Sequence, residues 1–367
     1  MDSRIKCSAI SILVLMCISA FAAAPPPASD EAKTIWSFAY FGEGEEEYFH
    51  QPSDIAIDER QSLIYVVDSG NHRLVAFDFD GQLVRVIGKA GQGPGEFSRP
   101  SGAFVYPDSR LAVADYQNNR IQLFDSTGKF ESSINTKEVR VADLIVVEDL
   151  FYTIPSFGTS GFNLNMGSDA DSQPLVVALD DKGGVVREIT ISDFPEKQPF
   201  VRALKHKVCL SRAPDGRFFL PFGTMNIIQV FDPKGEKLAQ FDRPLAFKPL
   251  VPELASQKSG TAGNSKVVQM VARIDLVSRA AQFGPDGMLY ILTFSVSMDK
   301  WRSQVEDQRE MPPMPTHIDV IDPQTLKPVR TITADPGCLA FGIVSEDRVV
   351  TIHEDEDGEL VLKCVQY

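Results

Sequence analysis

The chain has 367 residues, of which 43% are hydrophobic, and a formal net charge of −14 at pH 7. This acidic balance argues against nucleic acid and anionic membrane surfaces as partners. The chain has five cysteines, of which three lie beyond the N-terminal leader described next. An odd number this small does not indicate a disulfide framework.

The first 22 residues have the pattern of a cleavable signal peptide. Arg4 and Lys6 precede a largely apolar run from Ala9 to Phe21, and we expect cleavage after Ala22. The run is too short to favour a membrane-spanning helix. The sequence therefore predicts an exported protein, periplasmic or secreted. A lipoprotein anchored at Cys17 is the less favoured alternative, because Met16 is a poor residue to precede a lipidated cysteine.

Residues 23–33 form a linker rich in Pro, Ala and Ser, and residues 34–367 form the predicted folded domain. A strand is predicted over residues 34–40, and it precedes Gly42 as the later run Leu83 to Ile87 precedes Gly88. The first strand therefore corresponds to the last strand of a repeating unit whose earlier strands are absent from this part of the chain.

Phe49 to Ile134 contains one sequence unit twice, at an offset of 47 residues (115 − 68 = 47). Each copy has four apolar runs separated by turn residues, which predicts a four-stranded antiparallel sheet. An Asp and a Gly bound the third turn and predict a hairpin in which the Gly has a positive φ. Four strands in roughly 40–50 residues are typical of a propeller blade. The repeated residues are Asp68, Asn71, Arg73, Phe77, Asp78 and Gly81, which recur as Asp115, Asn118, Arg120, Phe124, Asp125 and Gly128.

The two copies resemble NHL repeats. In the first copy, the residues that resemble the repeat extend from Pro52 through Leu63 to Asp78. In the second copy, they extend from Gly93 to Pro100 and on to Asp125. Beyond these two blades the pattern becomes degenerate. The chain resembles the exported bacterial six-bladed propellers of NHL or TolB-like type, which are a family of scaffolds more than a family of one activity. The resemblance implies an all-β, six-bladed propeller with four antiparallel strands per blade.

An apolar segment ending in Asp marks the third strand of each later blade. The chain end, from Cys338 to Tyr367, supplies three strands and no fourth, so we expect the N-terminal strand to complete the sixth blade and close the ring. Apolar residues at a helical spacing between Val267 and Val277 predict a small helical insertion between blades four and five. The marker residues are Asp78, Asp125, Asp180, Asp232 and Asp322.

Four long insertions, residues 153–173, 192–207, 242–279 and 295–316, interrupt blades three to five. Each lies between the second and third strands of a blade or between two blades, so an antiparallel topology places all four on one face. Loops of this length are usually functional or disordered. Residues 243–280 hold six basic and two acidic side chains. They form either a basic mouth that attracts an anionic ligand or cations paired with the rims of neighbouring blades.

We interpret the chain as a binding or scaffold protein without turnover, whose ligand or protein partner occupies the face with the long loops. Aromatic anchors surrounded by cations suit an anionic, partly apolar ligand. No cofactor is predicted, and we expect a monomer. The candidate ligand-binding residues are Arg202, Lys205, Lys207, Arg279, Trp301, Arg302, Phe157 and Phe162.

The alternative is a metal-assisted lyase or lactone hydrolase that uses His206, His317 and Asp143 around the mouth, with bound Zn²⁺ or Ca²⁺. Peptide-amidating and streptogramin lyases, which the fold resembles, place histidines just after the Pro of the repeat. This chain has Ser53 and Ser101 there. Gluconolactonase- and paraoxonase-like propellers hold a central Ca²⁺ with inner Glu, Asn and Asp. Asp54 and Asp143 are the corresponding residues found here.

The repeated Asp, Asn and Arg are interpreted as structural. The Asn is expected to take the left-handed conformation of a tight loop, while Asp and Arg are expected to pair across neighbouring blades. Cys338 and Cys364 are expected to be buried thiols, because a strand between them puts them beyond disulfide reach.

Overall fold

The structure is a computed structural model that describes residues 32–39, 48–137, 139–157, 174–190, 208–250, 253–262, 265–273, 275–303 and 312–367. Within these ranges the chain forms six four-stranded antiparallel sheets and one two-stranded sheet. The predicted six-bladed β-propeller is therefore confirmed. The signal peptide predicted over residues 1–22 lies outside the described residues. No described helix is long and apolar enough to cross a membrane.

The blades follow one another along the chain. Blade one has strands β2 (Asp54–Asp58), β3 (Leu63–Asp68), β4 (Arg73–Asp78) and β5 (Leu83–Ile87). Blade two has β6 (Pro100–Val105), β7 (Leu111–Asp115), β8 (Arg120–Phe124) and β9 (Phe130–Asn135). Blade three has β10 (Val139–Val147), β11 (Leu150–Phe157), β12 (Val176–Leu179) and β13 (Val185–Ile189). Blade four has β14 (Ser211–Arg212), β15 (Phe218–Pro221), β16 (Ile228–Phe231) and β17 (Lys237–Phe241).

A separate hairpin, β18 (Glu253–Ala262) and β19 (Ser265–Arg273), precedes blade five. Blade five has β20 (Ser278–Phe283), β21 (Leu289–Phe294), β22 (Thr316–Asp322) and β23 (Lys327–Thr333), with the short helix α1 (Met298–Ser303) between β21 and β22. Blade six has β24 (Ala340–Ser345), β25 (Arg348–Glu354) and β26 (Leu360–Gln366), completed by β1 (Lys33–Phe38).

The N-terminal strand closes the ring as predicted. β1 pairs antiparallel with β26, so that Thr34 faces Val365 and Phe38 faces Leu362. The Trp36 ring stacks on Phe38, and its indole nitrogen donates a hydrogen bond to the Phe79 carbonyl of blade one. The first and last strands of the domain are therefore joined in one sheet, which removes an unpaired edge from β26.

The core lies between the blades, because each sheet is covered on both faces by its neighbours. Strand side chains alternate between the two faces, so one blade contributes to two clusters. Val66 and Phe77 of blade one pack with Val350 and Leu362 of blade six, while Tyr65 and Leu74 face blade two. All of these side chains are fully buried. The apolar runs recognised in the sequence are therefore buried on both sides rather than on one.

The innermost strands β24, β2, β6, β10, β14 and β20 each contact the next and form a closed ring. All six begin at the same end of the ring, which we call the loop face. Since strands alternate in direction, the connections after β11, β13, β17 and β21 also leave from and return to this face. The antiparallel topology therefore puts the ends of all four predicted insertions on one face.

The predicted helical insertion between blades four and five is wrong, because the chain there forms the β18–β19 hairpin. Ala262 pairs with Ser265 and Glu253 with Arg273. The β-branched residues Val267, Val268 and Val271 favour a strand, and the sequence between the strands is Gly263-Asn264, a pair typical of two-residue hairpin loops. Short apolar runs fit both periods, and here β propensity prevailed over helical spacing.

The hairpin turns between third and fourth strands have the predicted geometry. In blade one, the Asp78 carboxylate accepts hydrogen bonds from the backbone nitrogens of Asp80 and Gln82, and Gly81 has φ +83°. Gly128 repeats this conformation in blade two with φ +84°. A residue with a Cβ is disfavoured at such φ values.

The repeated Asp has a structural role, as predicted, but its partners are different. Buried Asp115 accepts hydrogen bonds from the Ser98 backbone nitrogen and from the side chains of Asn118, Arg120 and Gln122, so it fastens the incoming loop to its own blade. Asp68 likewise binds the His50 backbone nitrogen and its own hairpin partner Arg73. The expected pairing across neighbouring blades is therefore wrong.

The expected left-handed Asn is also wrong. His72 and Asn119, each one residue later, have φ +56° and +50°. Asn71 and Asn118 instead lie in short 3-10 turns, where their side-chain amides donate hydrogen bonds to Asp68 and Asp115. Holding that amide against the carboxylate leaves the next residue to make the left-handed turn.

Candidate functional site

Three inner strands carry β-bulges near the loop face. Pairing is interrupted between Pro100 and Gly102 in β6, between Val141 and Leu144 in β10, and between Ser278 and Ala280 in β20. A bulge bends a strand locally and redirects the side chains within it. The redirected residues include Asp143 of blade three and Arg279 of blade five.

A cavity of about 450 Å³ occupies the centre of the ring and is lined by inner strands of blades one to five. Its polar lining residues are Ser53, Asp54, Ser101, Asp143, Cys209, Ser211, Arg212, Arg279 and Gln282. Ile55, Phe104, Ile145 and Phe283 are among the apolar ones. Polar groups thus contribute more than half of the exposed surface of this wall, and polar groups that converge in a concave site fix the orientation of a ligand.

Asp54 and Asp143 approach each other on either side of Gly102. A Cβ placed on Gly102 would lie 3.6 Å from both Asp54 Oδ2 and Asp143 Oδ1. Asp54 Oδ2 accepts a hydrogen bond from the Ala103 backbone nitrogen at 3.1 Å, and Asp143 Oδ2 accepts one from Leu210 at 3.1 Å. Each carboxyl group is therefore anchored to the following blade, and the missing side chain of Gly102 leaves space between the two.

The surroundings of this carboxyl pair favour protonation. Burial, reinforced by the nearby charge of Asp143, raises the pKa of Asp54 to about 7. Burial also raises the pKa of Asp143. Two carboxyl groups that share a poorly solvated space titrate as a pair, so near neutral pH the pair readily takes up or releases a proton.

Arg279 lies on the opposite side of the ring. Blade five is three positions from blade two, so Arg279 faces Gly102 and its flanking carboxyl groups across the cavity. Its Nε donates a hydrogen bond to the Leu339 carbonyl at 3.1 Å, while the side chain stays exposed to the cavity. Cys209 of the intervening blade is a neutral thiol, because burial raises its pKa to about 12.

Two further groups in the cavity wall have no hydrogen-bond partner in the described part of the protein. Ser211 Oγ is buried and unpaired, and the same holds for Arg212 Nε. Buried polar groups in folded proteins are nearly always paired with protein, water or a ligand. Both atoms have almost no solvent-accessible surface, so they lie inside the wall and do not face the cavity.

The structure brings two predicted site residues, Asp143 and Arg279, into this cavity. Trp301 and Arg302 lie on α1, where the Trp301 indole nitrogen donates to the Pro312 carbonyl at 3.2 Å. Neither is among the described residues that line the cavity. Phe157 ends β11, and its side chain is not described. Arg202, Lys205, His206, Lys207 and Phe162 lie outside the described residues.

His317 belongs to a separate polar network between blades four and five. Its ring nitrogens contact Ser295 Oγ at 2.8 Å and Asp319 Oδ1 at 3.2 Å. Asp319 also accepts a hydrogen bond from Arg243 Nε at 2.8 Å. Although burial acts in the opposite direction, the hydrogen bond from His317 and the charge of Arg243 lower the pKa of Asp319. The Arg243 cation is thus buried and paired with a neighbouring blade instead of contributing to a basic mouth.

Among the described residues, no three His, Cys, Asp or Glu side chains are grouped as metal ligands would be. Asp54 and Asp143 supply carboxylate oxygens from two residues only, whereas Ca²⁺ takes six to eight oxygen ligands. All three described cysteines are free and buried, as expected for Cys338 and Cys364.

Sequence reasoning identified Asp54 only as a counterpart of a Ca²⁺ ligand, and it missed Gly102, Ser211 and Arg212. One signal was present. Counted from the Pro of each repeat, Ser53 corresponds to Ser101 and Asp54 to Gly102. This offset is one residue longer than that of the later repeat positions, because β6 has a bulge between Pro100 and Gly102. The blade itself does not require an Asp at this position, because the second repeat has a Gly there.

Known proteins share the fold of this chain, but the sequence matches to individual proteins are short. Residues 61–278 match the family DUF5128, described as a 6-bladed beta-propeller. Protein lin-41 of Caenorhabditis elegans is 47% identical over 49 residues, which are 13% of this chain and 4% of that protein. NHL repeat-containing protein 3 of Homo sapiens is 32% identical over 91 residues, covering 24% of this chain and 26% of that protein. The chain therefore matches only a minor part of these relatives.

A similar architecture occurs in a crystal structure of a member of the duf4221 family from Bacteroides vulgatus. The TM-score is 0.56 and the identity 11%, with 92% of this chain and 97% of that chain covered. At this identity the likeness concerns the fold alone.

Proposed function

The chain belongs to the DUF5128 family of 6-bladed β-propellers, and we propose that it is a binding protein whose ligand occupies the central cavity at the loop face without being turned over. The observation that carries this proposal is the cavity wall itself. It combines apolar side chains with a carboxyl pair, Asp54 and Asp143, and an exposed Arg279. Propeller folds host many unrelated functions, so the site and not the fold supports the proposal.

The long connections on the loop face support ligand access from that side. The connections after β11, β13, β17 and β21 belong to blades three to five and have their ends at the loop face. Asp143 and Arg279 lie near the beginning of their inner strands, at the same face. Loops carried by a rigid scaffold commonly supply binding residues. The cations predicted at 192–207 remain candidates for contacts to the same ligand.

The alternative lyase or lactone hydrolase has less support from the described residues. His317 is engaged by Ser295 and Asp319 and is not among the described residues around the cavity, whereas Asp143 is. Metal analysis of the purified protein by mass spectrometry separates the two proposals. Stoichiometric Zn²⁺ or Ca²⁺ that survives dialysis would favour the metal-assisted enzyme.

A thermal-shift screen with a plugged cavity tests the binding proposal. Ser53 is exposed and lines the cavity, so Ser53→Trp should fill its mouth without disturbing the core. Gln82→Trp is the matched control, because Gln82 is exposed in a hairpin on the opposite face. The library should hold sugars, organic acids, amines and amino acids. A compound that stabilises the native chain and Gln82→Trp but not Ser53→Trp supports the proposal. Equal stabilisation of all three would contradict it.

We also propose, from the sequence, that the protein is exported through residues 1–22 and is related to the TolB-like exported type. Expression in a bacterial host followed by fractionation and N-terminal sequencing tests export. A mature chain beginning at Ala23 outside the cytoplasm is expected, and an uncleaved cytoplasmic chain would contradict the proposal.

A further inference from the structure

We propose that the cavity binds a zwitterionic ligand, such as a free amino acid or a short peptide, with its ammonium group between Asp54 and Asp143 and its carboxylate on Arg279. This inference rests on the proposed binding function and specifies the ligand class of the same site.

The ammonium subsite is formed by the space above Gly102. The two carboxyl groups come from blades one and three, and each lies 3.6 Å from the point that a Gly102 Cβ would occupy. Asp54 Oδ2 and both oxygens of Asp143 are already oriented by backbone nitrogens of Ala103, Leu144 and Leu210. Carboxyl groups held in place by backbone donors are preorganised for a cation, because they need little rearrangement on binding.

The carboxylate subsite is formed by Arg279. A β-bulge in β20 turns this residue towards the cavity, and only its Nε is engaged by a described residue, the Leu339 carbonyl. The two terminal nitrogens of a guanidinium group match a carboxylate in a bidentate arrangement. Because blades two and five are opposite in the ring, the two subsites lie across the cavity from one another.

Charge complementarity favours a ligand with charges of both signs. A purely anionic ligand at Arg279 would leave the carboxyl pair without a cation, and a purely cationic one would leave Arg279 without an anion. A divalent cation has only two carboxylate side chains to coordinate among the described residues. A ligand with one positive and one negative group satisfies both sides.

Isothermal titration calorimetry with glycine, β-alanine, γ-aminobutyrate, ε-aminocaproate and triglycine tests the proposal, with butylamine and butyrate as singly charged controls. We expect at least one zwitterion to bind about tenfold or more tightly than either control. The member of the series that binds best reports the span between the subsites, and triglycine separates a peptide ligand from a free amino acid.

Variants assign each charge to its subsite. Asp54→Asn, Asp143→Asn and Arg279→Gln should each weaken the best zwitterion by about tenfold or more. Asp215→Asn is the matched control, because Asp215 is exposed in a hairpin on the opposite face and pairs with Arg217. Thermal melts establish that each variant is folded. Gly102→Ala retains every charge and fills the space between the carboxyl groups, so it should weaken binding of the ammonium group.

Three outcomes would overturn the inference. If butyrate binds as tightly as the zwitterions, the site is a simple anion site. If butylamine binds as tightly as the zwitterions, Arg279 is not part of the site. Absence of binding by every zwitterion would reject the ligand class. If the thermal-shift screen nevertheless finds a compound of another class that Ser53→Trp excludes, the binding function stands and only the zwitterion proposal fails.

Discussion

Asp54→Asn should stabilise the protein, and by more at alkaline than at acidic pH. The amide has the shape of the carboxyl group and can still accept the hydrogen bond from the Ala103 backbone nitrogen. It cannot ionise beside Asp143. The substitution therefore removes the unfavourable ionisation of Asp54 and leaves the rest of the cavity wall in place.

The magnitude follows from the difference between the folded and unfolded pKa. Burial and Asp143 raise the pKa of Asp54 from 3.8 to about 7, so between these values the folded state holds a proton that the unfolded state has lost. Native stability must then fall as the pH rises through this window. At about 1.36 kcal/mol for each pKa unit, the whole titration amounts to about 4 kcal/mol, of which about 2.5 kcal/mol falls between about pH 5 and pH 8. Solvent in the open cavity lowers this, and we expect about 1–2 kcal/mol.

Urea unfolding of the native chain and of Asp54→Asn at several pH values measures this difference. Comparison of the two proteins cancels the contributions of titrating groups that do not interact with Asp54, so the difference reports Asp54 and its coupling to Asp143. Asp215→Asn, which removes an exposed carboxylate far from the cavity, controls for net charge. A stability difference between Asp54→Asn and the native chain that does not change with pH would refute the argument that Asp54 is strained by burial and by Asp143.

Three further predictions concern the blades. Deleting the chain through Phe38 should expose the β26 edge, and we expect aggregation or a large fall in Tm by calorimetry; an unchanged Tm would contradict ring closure by β1. Asp115→Ala should lower the free energy of unfolding by about 2–4 kcal/mol, because four donors lose their buried acceptor, while the folded fraction should still bind ligand. Gly183→Ala should destabilise by about 3 kcal/mol or more, since its Cβ would lie 1.9 Å from the Asn135 carbonyl oxygen. Gly287→Ala, with the same φ of +73° and open space, should lose only about 1–2 kcal/mol, and equal losses in urea unfolding would show that the contact is unimportant.

The repeat explains why most of the fold was predictable. Turn chemistry at Asp78 and Gly81, and the alternating apolar strands between them, act over a few residues and are visible in one copy. A second copy at a fixed offset then identified the blade. The three strands left over at the C-terminus required a fourth, and the unpaired strand near Thr34 was the matching element, now paired with β26.

Prediction failed where two local preferences competed. Val267 to Val277 satisfied a helical spacing, yet this segment includes β-branched valines, and residues 253–262 pair with residues 265–273 as a hairpin. At Asn71 the choice of a left-handed conformation was reasonable for the residue type. The Asn71 side chain instead donates a hydrogen bond to Asp68, and His72 has the left-handed conformation.

The sequence by itself determined the blades, because hydrogen-bonding turns, alternating burial and the closing strand all depend on neighbouring residues or on a repeat. Only the tertiary structure decided the site. Asp54, Asp143 and Arg279 are distant in the sequence and belong to three different blades. Closure of the ring brings their strands to one cavity, and bulges in β10 and β20 direct Asp143 and Arg279 into it. The raised pKa of Asp54 follows from that shared burial, which no local pattern encodes.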